Sequence, residues 1–457
     1  MCGIIGIYSE GSEAARLVHL GLWSLQHRGQ ESSGIVSSDG KDLYAHRDMG
    51  LVARVYEEAD FDKLPGFLAI GHNRYATSGP ATFEHIQPVF TKDRIVTLAH
   101  NGNLPDTATL EDFLHKKGVA TTFHNDSDMM HAALTYFLVR GKSLEYAVKK
   151  LFPLMIGAFS LVIMTVDKLI AVRDSCGIHP LVLGKYNGGF VVASETCAFD
   201  TIKARYLREV KPGEMVVISK RGLKSYQLAK PCQKLDLFEF IYFARPDSSL
   251  LGKNVNEVRR RLGVFLAKEH QVRADVVIPI PDSAIPAALG YSQESGIRFD
   301  HGLVKNRYIH RTFIRPAQKL RDRDVELKLN PIPEILKGKR VIIVDDSIVR
   351  GTTSKKIVAM VRRAGAKKVY FMVSSPPVRY PDFYGIDTPA QQDLISSHLD
   401  ERKIAKEIGA DSVHFLSYQS AIKATGLSEK LLCTSCFSGV YPVSIGKRIG
   451  DVVYNPK

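Results

Sequence analysis

The sequence predicts an α+β layered domain over residues 1–230, followed by an α/β parallel-sheet domain over residues 231–457. Three observations carry this. The first part is rich in short strand-like runs with scattered helices and no strand–helix–strand rhythm, the mark of a layered mixed domain. From about residue 253 helix and strand patterns alternate, which argues for a parallel sheet covered by helices. Between the two, AKPCQKLDL (229–237) is polar and carries a proline, as a domain boundary does.

Taken in order, strands are expected at Gly3–Tyr8, Gly34–Ser38, Phe67–His72, Ile95–His100, Ala158–Thr165, Lys168–Arg173, Phe190–Ala193 and Met215–Ile218. Helices are expected at Ala14–Gln26, Asp126–Leu138 and Leu144–Leu151. In the second part, NVNEVRRRLGVFLAKEH (254–270) reads as a helix and DVVIPI (275–280) as a buried strand. RVIIVDD (340–346) is a second strand, and TTSKKIVAMVRRAG (352–365) is a helix that stops at Gly365. VYFMVSS (369–375) is a third strand.

Composition narrows the class. Hydrophobic residues make up 45% and charged residues 24%, the balance of an ordinary globular protein. The longest apolar stretch, MIGAFSLVIMTVDKLIAV, is broken by Asp167 and Lys168 and reads as two strands, so no membrane partner is expected. The N-terminus lacks a basic region followed by an apolar core, and six cysteines in 457 residues are no disulfide framework. A cytoplasmic location is expected. The net charge of +14 suits an anionic partner, and its residues are densest in the second half. No basic tail or nucleic-acid module accompanies it, so a phosphorylated small molecule is favoured over nucleic acid.

The sharpest local pattern is RVIIVDDSIVRGTTSKKIV (340–358). A buried strand ends in Asp345 and Asp346, a loop follows with Ser347, Arg350, Gly351, Thr352, Thr353 and Ser354, and a helix opens. Small hydroxyl residues and glycine at a helix N-terminus present backbone N–H groups to an anion. Adjacent carboxylates suit ribose hydroxyls or hydrated Mg²⁺. A plain capped strand–turn–helix is the alternative reading. DVVIPIPDSAIPAALGYS (275–292) is a strand, a proline-rich turn with Asp282 and Ser283 at its tip, and a helix start. The stretch 304–331 begins near Lys305, is strongly basic, and is long for a loop in a compact domain.

At the other end of the chain, Cys2 follows the initiator Met. Removal of that Met would put a thiol and an α-amino group on one residue. A thiol needs a base to become nucleophilic. An α-amino group titrates near about 7.7–8.0 and can serve as that base. Four short motifs accompany it. LQHRGQESSGI carries Arg28, GHNRYATSG carries Arg74 and Thr77, AHNGNL carries Asn101 and Gly102, and HNDSDMM carries Asp126. Arginine holds a carboxylate bidentately, aspartate holds an ammonium, and an amide with a glycine N–H can make an oxyanion hole. Singly, each is also an ordinary turn or cap, and an N-cap is an even alternative for Asp126.

The first motif set resembles the class II glutamine amidotransferases, and the second resembles the type I phosphoribosyltransferases. Their order along nearly the whole chain, with IYFARPDS (241–248) between them, resembles the family of glutamine phosphoribosylpyrophosphate amidotransferases. The resemblance implies an αββα N-terminal-nucleophile fold ahead of the phosphoribosyltransferase fold. It implies that Cys2 attacks glutamine with its own amine as base, while Asn101 and Gly102 hold the oxyanion. Arg74 and Thr77 would take the glutamine carboxylate, Asp126 its ammonium, and Arg28 would lie on a loop closing over it. Phosphoribosylpyrophosphate would sit at Asp282, Ser283, Lys305 and the 345–354 loop, with Mg²⁺ at Ser283, Asp345 and Asp346 and the basic 304–331 stretch as a lid. Ammonia passed inside the protein would give phosphoribosylamine, opening purine synthesis. Purine nucleotide feedback inhibitors and a homo-oligomer, tetramer or dimer, are also implied.

One branch of that family binds a 4Fe–4S cluster through four cysteines, and here the sequence departs from it. Cys433 and Cys436 match a pair, Asp382 stands at a third ligand position, and Asp236 at the fourth, with Cys232 four residues upstream. Iron on three cysteines and Asp382, zinc, a redox pair or two buried thiols all remain open. Cys176 and Cys197 read as small apolar residues. Two other functions fit parts of the chain: a non-catalytic nucleotide-sensing regulator on the same fold, which could spare Cys2, and an amidotransferase with a sugar-phosphate acceptor, which the 340–358 pattern disfavours.

Overall fold

The computed structural model describes residues 1–75, 83–120, 125–306, 328–386, 388 and 390–453. The chain forms two compact units. The first is Met1–Asp236 together with the short stretches Asp382–Asp387 and Tyr441–Gly450, and the second holds the rest. The sequence assigns both short stretches to the second domain. They lie instead on the first unit, where the Tyr384 carbonyl accepts from His179 Nε2 at 2.5 Å and the Phe383 carbonyl from Asn103 Nδ2 at 2.8 Å.

The first unit is built on twelve strands: β1 (Gly3–Tyr8), β2 (Ser32–Ser38), β3 (Leu43–Met49), β4 (Leu68–Arg74), β5 (Thr97–Asp106), β6 (Ile156–Met164), β7 (Lys168–Arg173), β8 (Val182–Tyr186), β9 (Gly189–Ala193), β10 (Arg205–Glu209), β11 (Glu214–Ser219) and β12 (Gly222–Gln227). They make a seven-stranded sheet, β10-β8-β9-β1-β4-β2-β3, and a five-stranded sheet, β12-β11-β7-β6-β5. β1 is central, antiparallel to β4 (Gly3 opposite Asn73) and to β9 (Ile5 opposite Ala193).

Strand alternation explains the layers. On β1, Ile5 and Ile7 pack with Val18 and Leu22 of helix Ala14–Ser24 on the outer face. Ile4 and Tyr8 point the other way, into a core shared with Val162, Leu169, Ala171 and Val216 of the second sheet. Gly6 lies between them on that inner side. A Cβ there would meet Val162 Cγ1 at 2.6 Å, so its absence lets the sheets approach. The outer face of the second sheet is covered by helices Ala108–Lys116, Asp126–Leu138 and Leu144–Leu151. The order helix, sheet, sheet, helix is the αββα sandwich that the resemblance implies.

Several strands that the sequence reading misses are edge strands. β3, β10 and β12 sit at sheet margins and carry exposed polar residues such as Asp48, Arg205 and Lys224. Edges are kept polar to prevent pairing with other chains, and this erases the apolar alternation that marks a strand.

The second unit holds a parallel sheet of four strands, Val276–Pro279, Arg340–Asp345, Lys368–Val373 and Ser412–Phe415, in that spatial order. Val341, Ile343 and Phe371 pack against Ile357 and Val361 of helix Thr352–Arg363 and against Ile404 and Ile408 of helix Glu401–Ile408. Helices Val255–Glu269 and Ile285–Ser295 pack against each other. An antiparallel ribbon, Leu303–Lys305 with Leu329–Pro331, flanks the basic stretch expected as a lid, most of which lies outside the described residues.

Candidate functional sites in the two units

In the first unit, Cys2 immediately precedes β1. Its N–H donates to Asn101 Oδ1 at 2.8 Å, and its carbonyl accepts from Arg28 Nε at 3.1 Å. The sulfur lies 3.8 Å from the Tyr75 carbonyl oxygen. Cys2 leads into the central strand of one sheet and Asn101 lies on β5, an edge strand of the other, so the bond between them spans the sandwich.

Asn101 is fully buried, and its Oδ1 is occupied by Cys2. Its Nδ2 has no hydrogen-bond partner among the described residues. An unmatched buried amide donor costs roughly 1–3 kcal/mol, so its retention beside Cys2 is a functional signal. Gly102 follows at φ 146°, a conformation open to glycine, and a Cβ there would lie 2.0 Å from the Ala158 carbonyl oxygen.

Arg28 is placed differently from the sequence expectation. It ends the short helical turn Gln26–Arg28 and is fully buried, with Nη1 2.5 Å from Glu195 Oε1. His27 Nε2 meets the same oxygen at 2.7 Å. Burial pushes the Glu195 carboxyl up, but His27 and Arg28 outweigh it and hold the group well below the usual carboxylate range. Arg28 is thus a fixed brace under Cys2, because a guanidinium sealed against a carboxylate cannot swing with a surface loop. Sequence reasoning missed Glu195. The available signal was an acid two residues after the apolar strand end VVA (191–193).

Arg74 closes β4 and is buried, with its carbonyl accepting from Glu31 N–H at 3.2 Å. Thr77 lies outside the described residues. Asp126 is the first residue of its helix, but the N-cap is Asn125, whose Oδ1 accepts from Asp128 N–H at 3.0 Å. Asp126 instead reaches β5: Oδ2 accepts from Leu104 N–H at 3.1 Å and lies 3.7 Å from His100 Nδ1. Asn101, Gly102 and Asp126 are therefore brought to one stretch of β5.

In the second unit the parallel register ends Val276–Pro279 and Arg340–Asp345 side by side, Pro279 opposite Val344. This sets the two loops together at the carboxyl edge, where ligands of such sheets sit. Ser283 Oγ donates to Asp346 Oδ2, and Ser347 Oγ donates to Asp346 Oδ1 at 2.7 Å. Asp345 Oδ1 accepts from the Asp346 N–H at 2.9 Å. Lys305 Nζ meets Asp282 Oδ2 at 2.6 Å near the sheet edge. Gly351 is the N-cap of helix Thr352–Arg363, and no side chain caps the first-turn N–H groups, which include those of Thr353 and Ser354. Arg350 points outward, 3.8 Å from Asp393.

Asp345 and Asp346 are 8% and 7% exposed, so both are removed from water while adjacent. Burial, and for Asp345 the neighbouring Asp346 charge, raises both carboxyls above their usual range; the nearby Arg259 partly offsets this at Asp346. Two crowded carboxylates and a hydroxyl fit a hard divalent cation that draws its remaining ligands from substrate phosphates and water. Arg259 was also missed in the sequence. It sits on the apolar stripe Val255, Val258, Leu262, Leu266 of its helix and donates to the Phe240 and Ala244 carbonyls at 2.8 Å, tying down the IYFARPDS segment.

The iron-ligand candidates are not gathered. Among the described residues no group of three or more His, Cys, Asp or Glu side chains could hold a metal ion. Asp382 Oδ1 accepts from the Tyr384 and Ile386 N–H groups at 2.7 and 3.3 Å, the work of a turn cap. Cys433 and Cys436 are buried, and Cys232 is exposed beside Cys176. No helix among the described residues is long and apolar enough to cross a membrane.

Fold and motif placement define a two-part class: an N-terminal-nucleophile amidotransferase domain joined to a type I phosphoribosyltransferase domain. Residues 72–201 match the glutamine amidotransferase domain family and residues 257–380 the phosphoribosyl transferase domain family. The chain is 46% identical over 97% of its length to the amidophosphoribosyltransferase of Synechocystis, covering 91% of that protein. It is 43% identical to that of Methanocaldococcus jannaschii, covering 97% of this chain and 98% of that one. The solved glutamine phosphoribosylpyrophosphate amidotransferase from B. subtilis, complexed with ADP and GMP, superposes with a TM-score of 0.89 at 43% identity over 98% of both chains. The chain belongs to the amidophosphoribosyltransferase family.

Two outcomes follow from this geometry. Glu195→Gln removes the buried counter-charge of Arg28 and should destabilise the protein by about 3–5 kcal/mol in urea unfolding at pH 7. Because the folded Glu195 carboxyl is depressed, its contribution is complete above the ordinary carboxylate value and is lost as pH falls below about 4.3. The gap between the two proteins should therefore narrow below that pH. Asp345→Asn should do the opposite. A raised folded carboxyl penalises stability at neutral pH, so without divalent cation the variant should melt higher than the parent, by about 2–4 °C per kcal/mol relieved. That difference should shrink as acid protonates the pair, and thermal melts from pH 7 downward check it.

Proposed function

We propose that this protein makes 5-phosphoribosylamine from phosphoribosylpyrophosphate with nitrogen taken from glutamine, releasing glutamate and pyrophosphate, the opening step of purine synthesis in the cytoplasm. The observation that carries the amidotransferase half is the Cys2–Asn101 bond, which leaves Asn101 Nδ2 buried and unmatched beside the thiol.

Once Met1 is removed, the Cys2 α-amino group takes the thiol proton. The sulfur attacks the side-chain amide carbon of glutamine, and the oxyanion is held by Asn101 Nδ2 and the Gly102 N–H. The protonated amine gives its proton to the leaving nitrogen, ammonia departs, and water hydrolyses the thioester to glutamate. Arg74 and Thr77 hold the glutamine carboxylate and Asp126 orders the ammonium end. Arg28 and Glu195 fix the nucleophile's backbone.

In the second unit, the Ser347–Ser354 loop and the uncapped start of helix Thr352–Arg363 bind the 5-phosphate, and Asp345 and Asp346 take the ribose hydroxyls. Asp282, Ser283 and Lys305 bind the pyrophosphate side. Magnesium held by Asp345, Asp346 and Ser283 would supply charge neutralisation for the leaving pyrophosphate. Ammonia attacks the anomeric carbon from the face opposite the leaving group as the C–O bond to pyrophosphate breaks, and the new ammonium loses a proton to give phosphoribosylamine. Purine nucleotides act as feedback ligands, in keeping with the ADP and GMP of the B. subtilis relative. A 4Fe–4S cluster is not part of this proposal.

The test is Cys2→Ala. Glutamine-dependent synthesis should fall to background while ammonia-dependent synthesis persists. Glutamine-dependent product from that variant would overturn the assignment of the nucleophile.

A further inference from the structure

Cys176 and Cys232 serve neither site, yet the fold brings them together within the first unit. Cys176 sits in the turn after β7, 4% exposed, with its N–H held by Asp174 Oδ1 at 2.9 Å. Cys232 is exposed. Backbone bonds lay its segment along that turn: Cys232 N–H donates to the Ser175 carbonyl at 2.8 Å, Lys234 N–H to Cys176 at 2.6 Å and Asp236 N–H to Ile178 at 3.0 Å.

Neighbouring backbones hydrogen-bonded side by side lie about 4.7–4.9 Å apart, inside the roughly 4.4–6.8 Å Cα span of disulfides. Cys232 is near enough to perturb the Cys176 thiol. Burial first, and then the contact with Cys232, push the Cys176 thiol up to about 12, so it waits as a neutral thiol behind an exposed one.

We propose that Cys176 and Cys232 form a peroxide-driven disulfide that fastens residues 228–236 to the 174–178 turn. The exposed Cys232 thiolate attacks one peroxide oxygen, the O–O bond breaks, and a sulfenic acid and hydroxide form, the latter protonated to water. The Cys176 sulfur then attacks the sulfenic sulfur. The S–O bond breaks, and the departing hydroxide takes the Cys176 proton as a second water. Two thiols are oxidised and one peroxide is reduced to two waters. Cys232, weighed from sequence as a metal ligand, is thereby given a thiol partner in its own domain.

Treating the full-length protein with hydrogen peroxide, then blocking free thiols and digesting with trypsin without reductant, tests this. The expected product joins the peptides 174–185 and 225–234 with loss of two hydrogens, and dithiothreitol separates them. Cys232→Ser, at an exposed position, should remove the link without disturbing the fold. Cys176→Ser should leave Cys232 unprotected, so that it gains two oxygens as a sulfinate. Formation of that sulfinate in the unmutated protein as fast as in Cys176→Ser would overturn the proposal. So would Cys232 joined to any other cysteine.

Discussion

The spacing of the two sheets in the first unit governs the amidotransferase site. Cys2 hangs from the first strand of one sheet and Asn101 from an edge strand of the other, and a single 2.8 Å hydrogen bond joins them. That bond does two things. It fixes the backbone of Cys2, and it leaves Nδ2 as a buried donor with no partner among the described residues. Its length depends on how closely the sheets pack, hence on the interface formed by Ile4, Gly6, Val162 and Leu169. Under the proposed function, core packing and the position of the oxyanion donors are one constraint, since a shift of even an ångström at such a site is costly in rate.

The two units solve opposite electrostatic problems. Under Cys2, a buried carboxylate is matched by Arg28 and His27, and the charges stay put. At the carboxyl edge of the parallel sheet, Asp345 and Asp346 are crowded together and only partly compensated. The first arrangement makes a rigid brace. The second holds stability back in the free protein, and under the proposed function that stability would return as cation and anionic substrate bind.

How far the sequence could be read follows from the same physics. β1, β7 and the helices Asp126–Leu138 and Leu144–Leu151 were read with their observed ends, because each has an uninterrupted apolar period or a sharp cap. β3, β10 and β12 were not, because edge strands are polar. The chemistry-bearing motifs Cys2 and Asp345-Asp346 are legible as residue types at strand ends, whereas Asn101-Gly102, expected at a strand end, lies in the middle of β5 because that strand runs on to Asp106. Their supports are not legible. Glu195 lies far along the chain from Arg28, and no local period announces a buried ion pair. Arg28 reads as a loop residue for that reason, and an N-cap stays open as the alternative for Asp126 because its bond to Leu104 is tertiary.

The most direct measurement concerns Asn101. Asn101→Asp keeps the oxygen that accepts from Cys2 N–H and replaces the free Nδ2 donor with an oxygen that repels an oxyanion. The account expects glutaminase kcat to fall by about 10²–10³ or more with KM for glutamine little changed. Ammonia-dependent synthesis should be preserved, showing that the fold is intact. Glutaminase turnover within a few-fold of the parent would contradict the account, since the unmatched donor would then have no part in the reaction.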